Sequence, residues 1–370
     1  MDGLYVGLMC GTSVDAIDAV AAHWQHGRPH IVATHSQPLQ AALQHDLLAL
    51  TRAGRAQFDH LFALDAQVAS AHAEAVAALL STHTIAPTDV RAIGFHGQTV
   101  YHAPTADPPF TVQLGDPSRL AVATGVPVVA DVRRADIALG GQGAPLAPAL
   151  HAALFASDTA PRAVLNLGGI ANLSLLPTDG APITGFDTGP ANALMDAWCA
   201  AHLGTAFDAD GQLAASGATD ATLLRQLRSH PFFAQSPPKS TGREQFHLGW
   251  LESAIGTRNL AHADVLATLV QLTATTVTDA LAQALPNCVE LLVCGGGRHN
   301  AALMARLRAH VDCAVVPTDS HGVDGDWVEA LLMAWLARQR LAGVPANCPS
   351  VTGARAATPL GGLYLPPEAV

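Results

Sequence analysis

The sequence predicts an α/β protein built from two halves. The chain has 370 residues, 49% of them apolar, which suits two domains that each bury a substantial core. Three turns rich in glycine or small hydroxyl residues, at 10–15, 166–169 and 295–297, each follow an apolar run typical of a buried strand. Separated turns of this kind, each leaving an apolar strand, favour a binding cleft between two α/β halves.

Composition and charge narrow the class of protein. A formal net charge of −11 argues against general binding to nucleic acid or to acidic membranes, so an anionic substrate needs a local basic pocket. The six cysteines form no C-x-x-C pair and no basic leader segment is evident, so we expect reduced thiols in a cytoplasmic protein. The apolar stretch 265–285 contains many threonines and Asp279, which indicates a buried core helix and not a membrane span.

The first turn lies between an apolar run at 4–9 and a second β-prone run at 16–22. Its backbone N–H groups and hydroxyls are suitable donors to phosphate, and nearby carboxylates are suitable partners for a hydrated Mg²⁺. The donors are Gly11, Thr12 and Ser13, and the carboxylates are Asp15 and Asp18. The alternative is an ordinary polar hairpin turn.

The second turn belongs to a predicted hairpin over 163–176, hinged on Gly168 and Gly169. A third β-prone run, 183–186, delivers Asp187 at its end, immediately before a helical pattern that starts at residue 191. A carboxylate beside a phosphate-type hairpin is well placed for a catalytic base. The alternative is that Asp187 merely caps the helix, as aspartate often does.

The third turn, Gly295–Gly297, joins an apolar strand at 290–294 to a helix at 301–310. Bare backbone of this kind can lie flat against a purine or a ribose, although a glycine loop alone is weakly specific. A further helix, 327–341, carries Glu329 in its first turn, where a carboxylate also suits the helix dipole. The G-x-x-x-x-G-K-[ST] phosphate loop is absent. The three turns together point to a phosphoryl-transfer enzyme or ATPase with Asp187 as the base.

Four further polar residues are candidates for substrate contact. His96 and Gln98 follow the apolar strand 90–95, and polar groups at such strand ends usually face the cleft. Arg134 follows another strand, and Lys239, the only lysine, lies in a Pro- and Gly-containing loop. A structural histidine and a surface loop with a chance lysine are the alternatives for two of these residues.

At this point the sequence resembles the anhydro-N-acetylmuramic acid kinase family of the actin/hexokinase/sugar-kinase superfamily. The resemblance covers nearly the whole chain and is specific because eight motifs occur together in order. They are GLMCGTSVDAID (7–18), FHGQTVYH (95–102), VQLGDP (112–117), DVRRADIALGGQGAPL (131–146), LNLGGIANL (165–173), GFDTGPANALMD (185–196), PPKSTGREQF (237–246) and VCGGGRHN (293–300). Serine is common where this chain has Cys10, and glycine is common where it has Ala16 and Ala191.

The resemblance implies a two-lobed fold with an RNase H-like core in each lobe and ATP between the lobes. We expect the N-terminal lobe to comprise 1–135 plus 350–370, and the C-terminal lobe 136–349. The implied activity uses ATP and water to convert 1,6-anhydro-N-acetylmuramic acid to N-acetylmuramic acid 6-phosphate and ADP, a step in the recycling of cell-wall sugars. The implied partners are the sugar, ATP with Mg²⁺ and a second copy in a homodimer, without nucleic acid or membrane.

The family pattern also implies roles for residues. Asp187 would be the base, and the Gly295–Gly297 loop would lie near adenosine. The expected nucleotide contacts are Gly11, Thr12, Ser13, Val14, Asp15, Ala16, Ile17, Asp18, Asn166, Gly168, Gly169, Gly295, Gly296 and Gly297, with Mg²⁺ held through water by Asp15 and Asp18. Glu329 is the candidate second carboxylate, and a helix-start residue is its alternative.

The substrate is an internal acetal, so its opening needs water at C1 while O6 leaves. Inverting glycosidases use a carboxylate to activate that water, and capture of O6 by the γ-phosphoryl group can replace the acid that they also need. Two rival functions stay open: a kinase for another anhydrosugar such as levoglucosan, and a non-catalytic actin-like nucleotide-binding protein.

Overall fold

The computed structural model describes residues 1–11, 14–178 and 180–367. Their contacts divide the chain into two units, which we call unit 1 (Met1–Leu150 with Trp327–Val370) and unit 2 (His151–Asp326). The strands are β1 (Gly3–Cys10), β2 (Ala16–Gln25), β3 (Arg28–Pro38), β4 (Val90–Phe95), β5 (Gln98–Ala103), β6 (Phe110–Leu114), β7 (Val128–Ala130), β8 (Arg162–Leu167), β9 (Ile170–Leu176), β10 (Thr184–Pro190), β11 (Glu290–Cys294), β12 (Ala314–Pro317) and β13 (Gly362–Tyr364).

The helices alternate with these strands in the manner of an α/β protein. They are α1 (Ala41–Ala53), α2 (Phe58–Thr82), α3 (Pro117–Thr124), α4 (Arg134–Ala138), α5 (Ala147–Phe155), α6 (Asn192–His202), α7 (Gln212–Ser216), α8 (Ala221–Arg228), α9 (Leu248–Ile255), α10 (His262–Ala284), α11 (Ala301–His310), α12 (Val328–Ala342) and α13 (Pro349–Thr352). Short 3₁₀ turns cover Pro87–Asp89, Ala209–Gly211, Pro231–Ala234, Gly296–His299 and Thr318–His321.

The main sheet of unit 1 has the strand order β3-β2-β1-β4-β7, with β13 added at the β7 edge. Strands β1, β2 and β3 form an antiparallel meander, whereas β4 pairs parallel to β1 and β7 pairs parallel to β4. The hairpin of β5 and β6 forms a separate two-stranded sheet. Helices must cross over between the parallel strands, which is why α2 and α3 lie between them in the sequence.

The sheet of unit 2 repeats that order as β10-β9-β8-β11-β12. Again three strands, β8, β9 and β10, form an antiparallel meander. Strand β11 pairs parallel to β8, and β12 pairs parallel to β11. This order of three antiparallel and two parallel strands is that of an RNase H-like core. The prediction of an α/β fold with one such core in each half is therefore confirmed.

Two glycines explain how α12 packs on the sheet of unit 1. Gly7 of β1 and Gly94 of β4 are register partners on adjacent strands. A Cβ built on Gly7 would lie 1.9 Å from the carbonyl oxygen of Ala330, and one built on Gly94 would lie 1.8 Å from that of Met333. The pair forms a groove without side chains in which the backbone of α12 lies against the sheet.

The position of α12 bears on the lobes expected from the sequence. Residues 136–150 and 327–349 fall in unit 1, whereas the sequence-based boundaries placed them in the C-terminal lobe. Residues 327–349 belong to unit 1 because α12 packs into its glycine groove. The sequence did not reveal this groove, since it depends on the pairing of residues 7 and 94 across parallel strands. Glu329 accordingly belongs to unit 1.

Helix α10 forms the centre of unit 2. Among the described residues it is the one helix that is long and apolar enough to cross a membrane by length and composition. Most of its apolar window is buried within the protein, from Val265 through Leu281. It packs beside the sheet and beside helices α6, α7 and α11. The prediction of a buried core helix is confirmed.

Candidate active site

The first turn connects β1 to β2, which pair up to Cys10 and Ile17. Thr12 and Ser13, two of the predicted phosphate donors, lie outside the described residues. The Val14 N–H donates to the Gly11 carbonyl at 3.1 Å, and Val14 has a φ of +57° although it is β-branched and buried. Such a conformation costs free energy and is tolerated where surrounding structure fixes a turn.

Residues at the start of β2 differ in what they can offer a ligand. The Ile17 side chain is fully buried, and the Ala16 N–H donates to Asp15 Oδ1 at 3.1 Å. Asp15 is exposed, and the Asp18 carboxylate accepts a hydrogen bond of 2.7 Å from Ser36 Oγ. Only backbone atoms of residues 16 and 17 are therefore candidates for nucleotide contact.

The two carboxylates are close enough to affect Cys10. Burial raises the pKa of the Cys10 thiol to about 12, and the charges of Asp15 and Asp18 add to the effect. A buried, protonated thiol is unreactive. Within 1–11, 14–178 and 180–367, no group of three or more His, Cys, Asp or Glu side chains is placed to hold a metal ion. Two carboxylates fit Mg²⁺ nevertheless, since this ion keeps several waters and binds few protein ligands.

The second turn has open space above Gly168. The Gly168 carbonyl accepts from the Asn192 N–H at 3.1 Å, and the Gly169 carbonyl accepts from Ala191 and Ala193 at 3.0 and 3.1 Å. A Cβ built on Gly168 would meet nothing nearer than 3.7 Å. Neither glycine has a positive φ. Packing and backbone conformation thus leave the side-chain direction of Gly168 open, which suits close approach by a ligand.

Asp187 lies inside β10, which runs on to Pro190, and the prediction that it ends the strand is wrong. Its register partner on β9 is Asn172, and a bulge follows it. The N-cap position of α6 is Ala191, which makes no side-chain cap bond. The helix-cap alternative for Asp187 is therefore also wrong, because pairing with β9 continues through the residue and carries the chain past it.

Both carboxylate oxygens of Asp187 accept hydrogen bonds. Asn172 Nδ2 donates to Oδ1 at 2.8 Å, and the Thr241 N–H donates to Oδ2 at 2.9 Å. Burial raises the pKa of Asp187, the two hydrogen bonds lower it, and the charge of Glu244 raises it. The net direction is upward. A fixed carboxylate with a raised pKa has the properties of a general base.

Lys239 supports this carboxylate through its backbone. The Asp187 N–H donates to the Lys239 carbonyl at 3.1 Å. The Lys239 ammonium lies 4.7 Å from the centre of the Phe232 ring and donates to the Phe232 carbonyl at 3.5 Å, and burial lowers its pKa. The side chain of the only lysine is thus engaged with a neighbouring aromatic residue of unit 2.

The third turn combines packed and open glycines. Gly295 has a φ of +79°, and a Cβ there would lie 2.4 Å from Asn166 Oδ1. A Cβ on Gly297 would lie 2.7 Å from the Leu167 Cβ, whereas one on Gly296 would meet nothing within 4 Å. Gly295 and Gly297 are therefore required for packing against the end of β8. Gly296 leaves its side-chain direction open.

Gly296 faces a cavity of about 410 Å³ in unit 2. The cavity is lined by Asn192, Met195, Asp196, Phe207, Asp208, Ala209, Asp210, Gly296, Gly297, His299 and Asn300. Its volume falls in the range of small-molecule sites, and its lining mixes apolar surface with a few polar groups. Beside it, Arg298 forms ion pairs with Asp319, Asp324 and Asp326.

His96 lies in a buried polar cluster of unit 1. Its Nδ1 is 2.7 Å from the Gly97 carbonyl, and its Nε2 accepts from Arg133 Nε at 3.1 Å. These contacts assign a proton to Nδ1 and a lone pair to Nε2. Burial, and then the charge of Arg133, lower the pKa of His96 to about 3, so the ring is neutral. The neighbouring Gln98 is buried, and its Oε1 has no hydrogen-bond partner among the described residues.

Arg133, and not its neighbour, joins this cluster. Arg133 also donates to the Gly143 carbonyl at 2.7 Å, and the charge of Glu329 acts on it. Arg134 points elsewhere: its side chain is 57% exposed and pairs with Asp131 at 2.9 Å. Glu329 is exposed in the first turn of α12. Of the residues singled out in unit 1, the structure thus places His96 against Arg133, on which the charge of Glu329 acts.

Several residues of these clusters escaped sequence reasoning. They are Asn172, Asp196, Arg243, Glu244 and Arg133. Each lies in, or directly beside, one of the eight motifs, so membership of a motif was the available signal. Nothing in the local pattern distinguished Arg133 from Arg134, since only the fold decides which guanidinium turns inward.

Comparison with known proteins shows which family the chain resembles along its whole length. The profile of the anhydro-N-acetylmuramic acid kinases matches residues 3–366. The chain belongs to the anhydro-N-acetylmuramic acid kinase family. An anhydro-N-acetylmuramic acid kinase of Xanthomonas campestris is 53% identical over 98% of this chain and 97% of its own. One from Chromohalobacter salexigens is 50% identical over 98% and 99% of the two chains.

A solved structure is also similar over most of the chain. Component A of the (R)-2-hydroxyglutaryl-CoA dehydratase of Acidaminococcus fermentans matches 89% of this chain and 96% of its own, with a TM-score of 0.49 and 12% identity. Membership of the anhydro-N-acetylmuramic acid kinase family rests on the sequence matches.

Proposed function

We propose that this chain uses ATP and water to open the 1,6-anhydro ring of 1,6-anhydro-N-acetylmuramic acid and to phosphorylate O6. The products are N-acetylmuramic acid 6-phosphate and ADP, which makes the reaction a recycling step for cell-wall sugars. The observation that carries the proposal is the Asp187 carboxylate, fixed by Asn172 and Thr241, with a raised pKa. Family membership over the whole chain supports the identity of the sugar.

Asp187 acts as the general base. Its two hydrogen bonds hold the carboxylate in one orientation, and the remaining lone pairs accept a proton from the attacking water. The water adds to C1, the bond from C1 to O6 breaks, and O6 attacks the γ-phosphoryl group of ATP. The proton from water stays on Asp187 until products leave. No separate acid for O6 is required, since phosphoryl transfer removes its negative charge.

The glycine turns bind the nucleotide. The open side-chain direction of Gly168 lets phosphate oxygens approach the second turn, and the cavity beside Gly296 accommodates adenosine. Residues 11–18 contribute further phosphate contacts, with Asp15 and Asp18 as the carboxylates for Mg²⁺. When bound, Mg²⁺ neutralises charge on the phosphates. Asn166 is a further nucleotide contact at the end of β8, where its Oδ1 leaves no room for a Cβ on Gly295.

The polar cluster of unit 1 contacts the sugar. Both ring nitrogens of the neutral His96 are already bonded, so His96 positions Arg133 in this cluster. Gln98 Oε1, which has no partner among the described residues, accepts from an N–H or O–H group of the sugar. Glu329 is the second carboxylate that orients water or sugar, with a simple helix-start role as its alternative. Arg134 and Lys239 are weaker candidates, because Arg134 pairs with Asp131 and Lys239 with Phe232. We further propose a cytoplasmic homodimer, as the family resemblance implies.

Asp187→Asn tests the base. Asparagine keeps the shape and one acceptor oxygen but cannot take a proton from water. We expect kcat with the anhydrosugar to fall by at least about a hundredfold while ADP still binds. The kcat/KM of the wild type should fall on acidification, and the fall should begin above the usual pKa range of aspartate, because the pKa of Asp187 is raised. Asp158→Asn, on the exposed surface of unit 2, is the matched control.

The same assays separate the rival functions. Near-wild-type turnover of a folded Asp187→Asn protein would remove Asp187 from the chemistry. Faster phosphorylation of levoglucosan than of the muramic acid derivative would favour another anhydrosugar kinase. Nucleotide binding without turnover of either sugar would favour the non-catalytic protein.

A further inference from the structure

An arginine lies beside the second glycine turn. A Cβ built on Gly169 would lie 3.8 Å from Arg243 Nη2 and 3.9 Å from its Nε. The guanidinium thus sits at the rim of the turn, although Arg243 belongs to the loop after residue 236 and is itself exposed. It is within a side chain's reach of the open space above Gly168.

The charge of the guanidinium also acts on a carboxylate of α6. The charge of Arg243 partly offsets the burial that raises the pKa of Asp196 to about 6. Asp196 is half-buried and lines the 410 Å³ cavity together with Gly296. Arg243 therefore lies beside the glycine turn, and its charge acts on a carboxylate of the cavity wall.

Cations are scarce in this protein. Its net charge is −11, and the ammonium of Lys239, four residues before Arg243, is held against the Phe232 ring. Two or more phosphate groups need compensating charge, especially as charge spreads over the transferred group. In the loop over Asp187, Arg243 is the basic side chain turned towards the glycine turn.

We propose that Arg243 binds the γ-phosphate of ATP beside the Gly168–Gly169 turn. The proposal rests on the proposed use of ATP. A guanidinium presents parallel N–H donors that match two phosphate oxygens, whereas an ammonium presents a point charge.

This assignment links the phosphate to the base. Thr241, whose N–H donates to Asp187 Oδ2, lies two residues before Arg243 in the same loop. A contact between Arg243 and the γ-phosphate would therefore hold the loop in the position that orients Asp187. The loop would thus fix the base while the group to be transferred is present.

The test compares ATP with ADP. Calorimetry with Mg²⁺ and either ADP or a non-hydrolysable ATP analogue measures Kd for wild type, Arg243→Gln and Arg243→Lys. We expect Arg243→Gln to weaken the ATP analogue by about tenfold or more and ADP by less than about twofold. Arg243→Lys should recover part of the loss. Arg306→Gln, on the exposed face of α11, is the matched control and should change neither Kd.

The other outcomes can be told apart, and all but the last overturn the proposal. Equal loss for both nucleotides, or no loss for either, would remove Arg243 from the γ-phosphate while leaving ATP use intact. Wild-type protein that binds neither nucleotide would overturn this proposal and the proposed function together. A Lys variant as weak as the Gln variant, with normal ADP binding, would still support a bidentate contact.

Discussion

At the scale of single residues, the Asp187 carboxylate illustrates what local sequence can and cannot predict. An acidic residue near a glycine hairpin was a sound candidate for a base, and its burial and two hydrogen bonds agree with that chemistry. The bond from Thr241 joins residues 54 positions apart. No local pattern predicts such a contact, because it depends on how a distant loop folds back over β10.

A first prediction concerns His96. Its imidazole should stay neutral, with the proton on Nδ1, throughout pH 5–8, because burial and Arg133 lower its pKa to about 3. An unperturbed histidine would instead gain a proton as the pH falls through about 6.5. The measurement is the pH dependence of the imidazole ring ¹⁵N chemical shifts by NMR, with the resonance assigned by its loss in His96→Asn. A titration within pH 5–8 would contradict the buried contact with Arg133.

A second prediction concerns Asp196. Burial raises its pKa to about 6, so the folded protein binds this proton more tightly than the unfolded chain does. The ionised carboxylate therefore costs stability, and the cost grows as the pH rises from about 4 to 6 and is complete above 6. Asp196→Asn should stabilise unit 2 by about 1 kcal/mol at pH 7.5, after allowance for screening of the partly exposed group.

The measurement for Asp196 is the opening free energy of α6 from amide hydrogen exchange. The gain should shrink as the pH is lowered towards 4. Asp312→Asn, at an exposed position of unit 2, is the control and should stay within about 0.5 kcal/mol of wild type. A variant less stable than wild type at pH 7.5 would show that the favourable charge of Arg243 outweighs the cost of burial.

At the scale of elements, the glycine groove decides where α12 packs. Register pairing of Gly7 with Gly94 removes two side chains from the middle of the unit 1 sheet. The facing helix residues Ala330 and Ala334 are small as well, so helix and sheet approach closely. The sequence predicted α12 to within a residue at each end from its apolar pattern. It could not predict the partner, since the two glycines lie more than eighty positions apart.

A third prediction follows from this close approach. Gly94→Ala should lower the free energy of unfolding of unit 1 by at least about 3 kcal/mol, because its Cβ would lie 1.8 Å from a helix carbonyl oxygen and backbone must shift. Gly27→Ala is the control: Gly27 has a φ of +80° but open space around it, so the cost should be about 1 kcal/mol. Urea denaturation, followed through hydrogen exchange in α12, measures both. Equal losses would argue against the groove.

At the scale of the whole molecule, repetition made the fold predictable. Alternation of apolar runs with glycine turns located β1, β8 and β11, and the family resemblance supplied the RNase H-like order that both sheets have. Strands without such turns, including β3 and β13, gave no comparable signal. The site was less predictable than the fold, because its arginines reach their neighbours across loops: Arg133 reaches His96, and Arg243 reaches Gly169.

Unit 1 is made from the two ends of the chain, and this fixes an order of events during synthesis. Strands β1 and β4 are translated before unit 2, yet their glycine groove stays uncovered until α12, at 328–342, has been translated. Unit 2 occupies a continuous stretch, 151–326, and its whole sequence is available before that helix exists. Domains fold as units while the chain emerges, so the half that is begun first is the half that is finished last. Throughout translation of unit 2, the sheet of unit 1 therefore lacks the helix that covers its glycine groove.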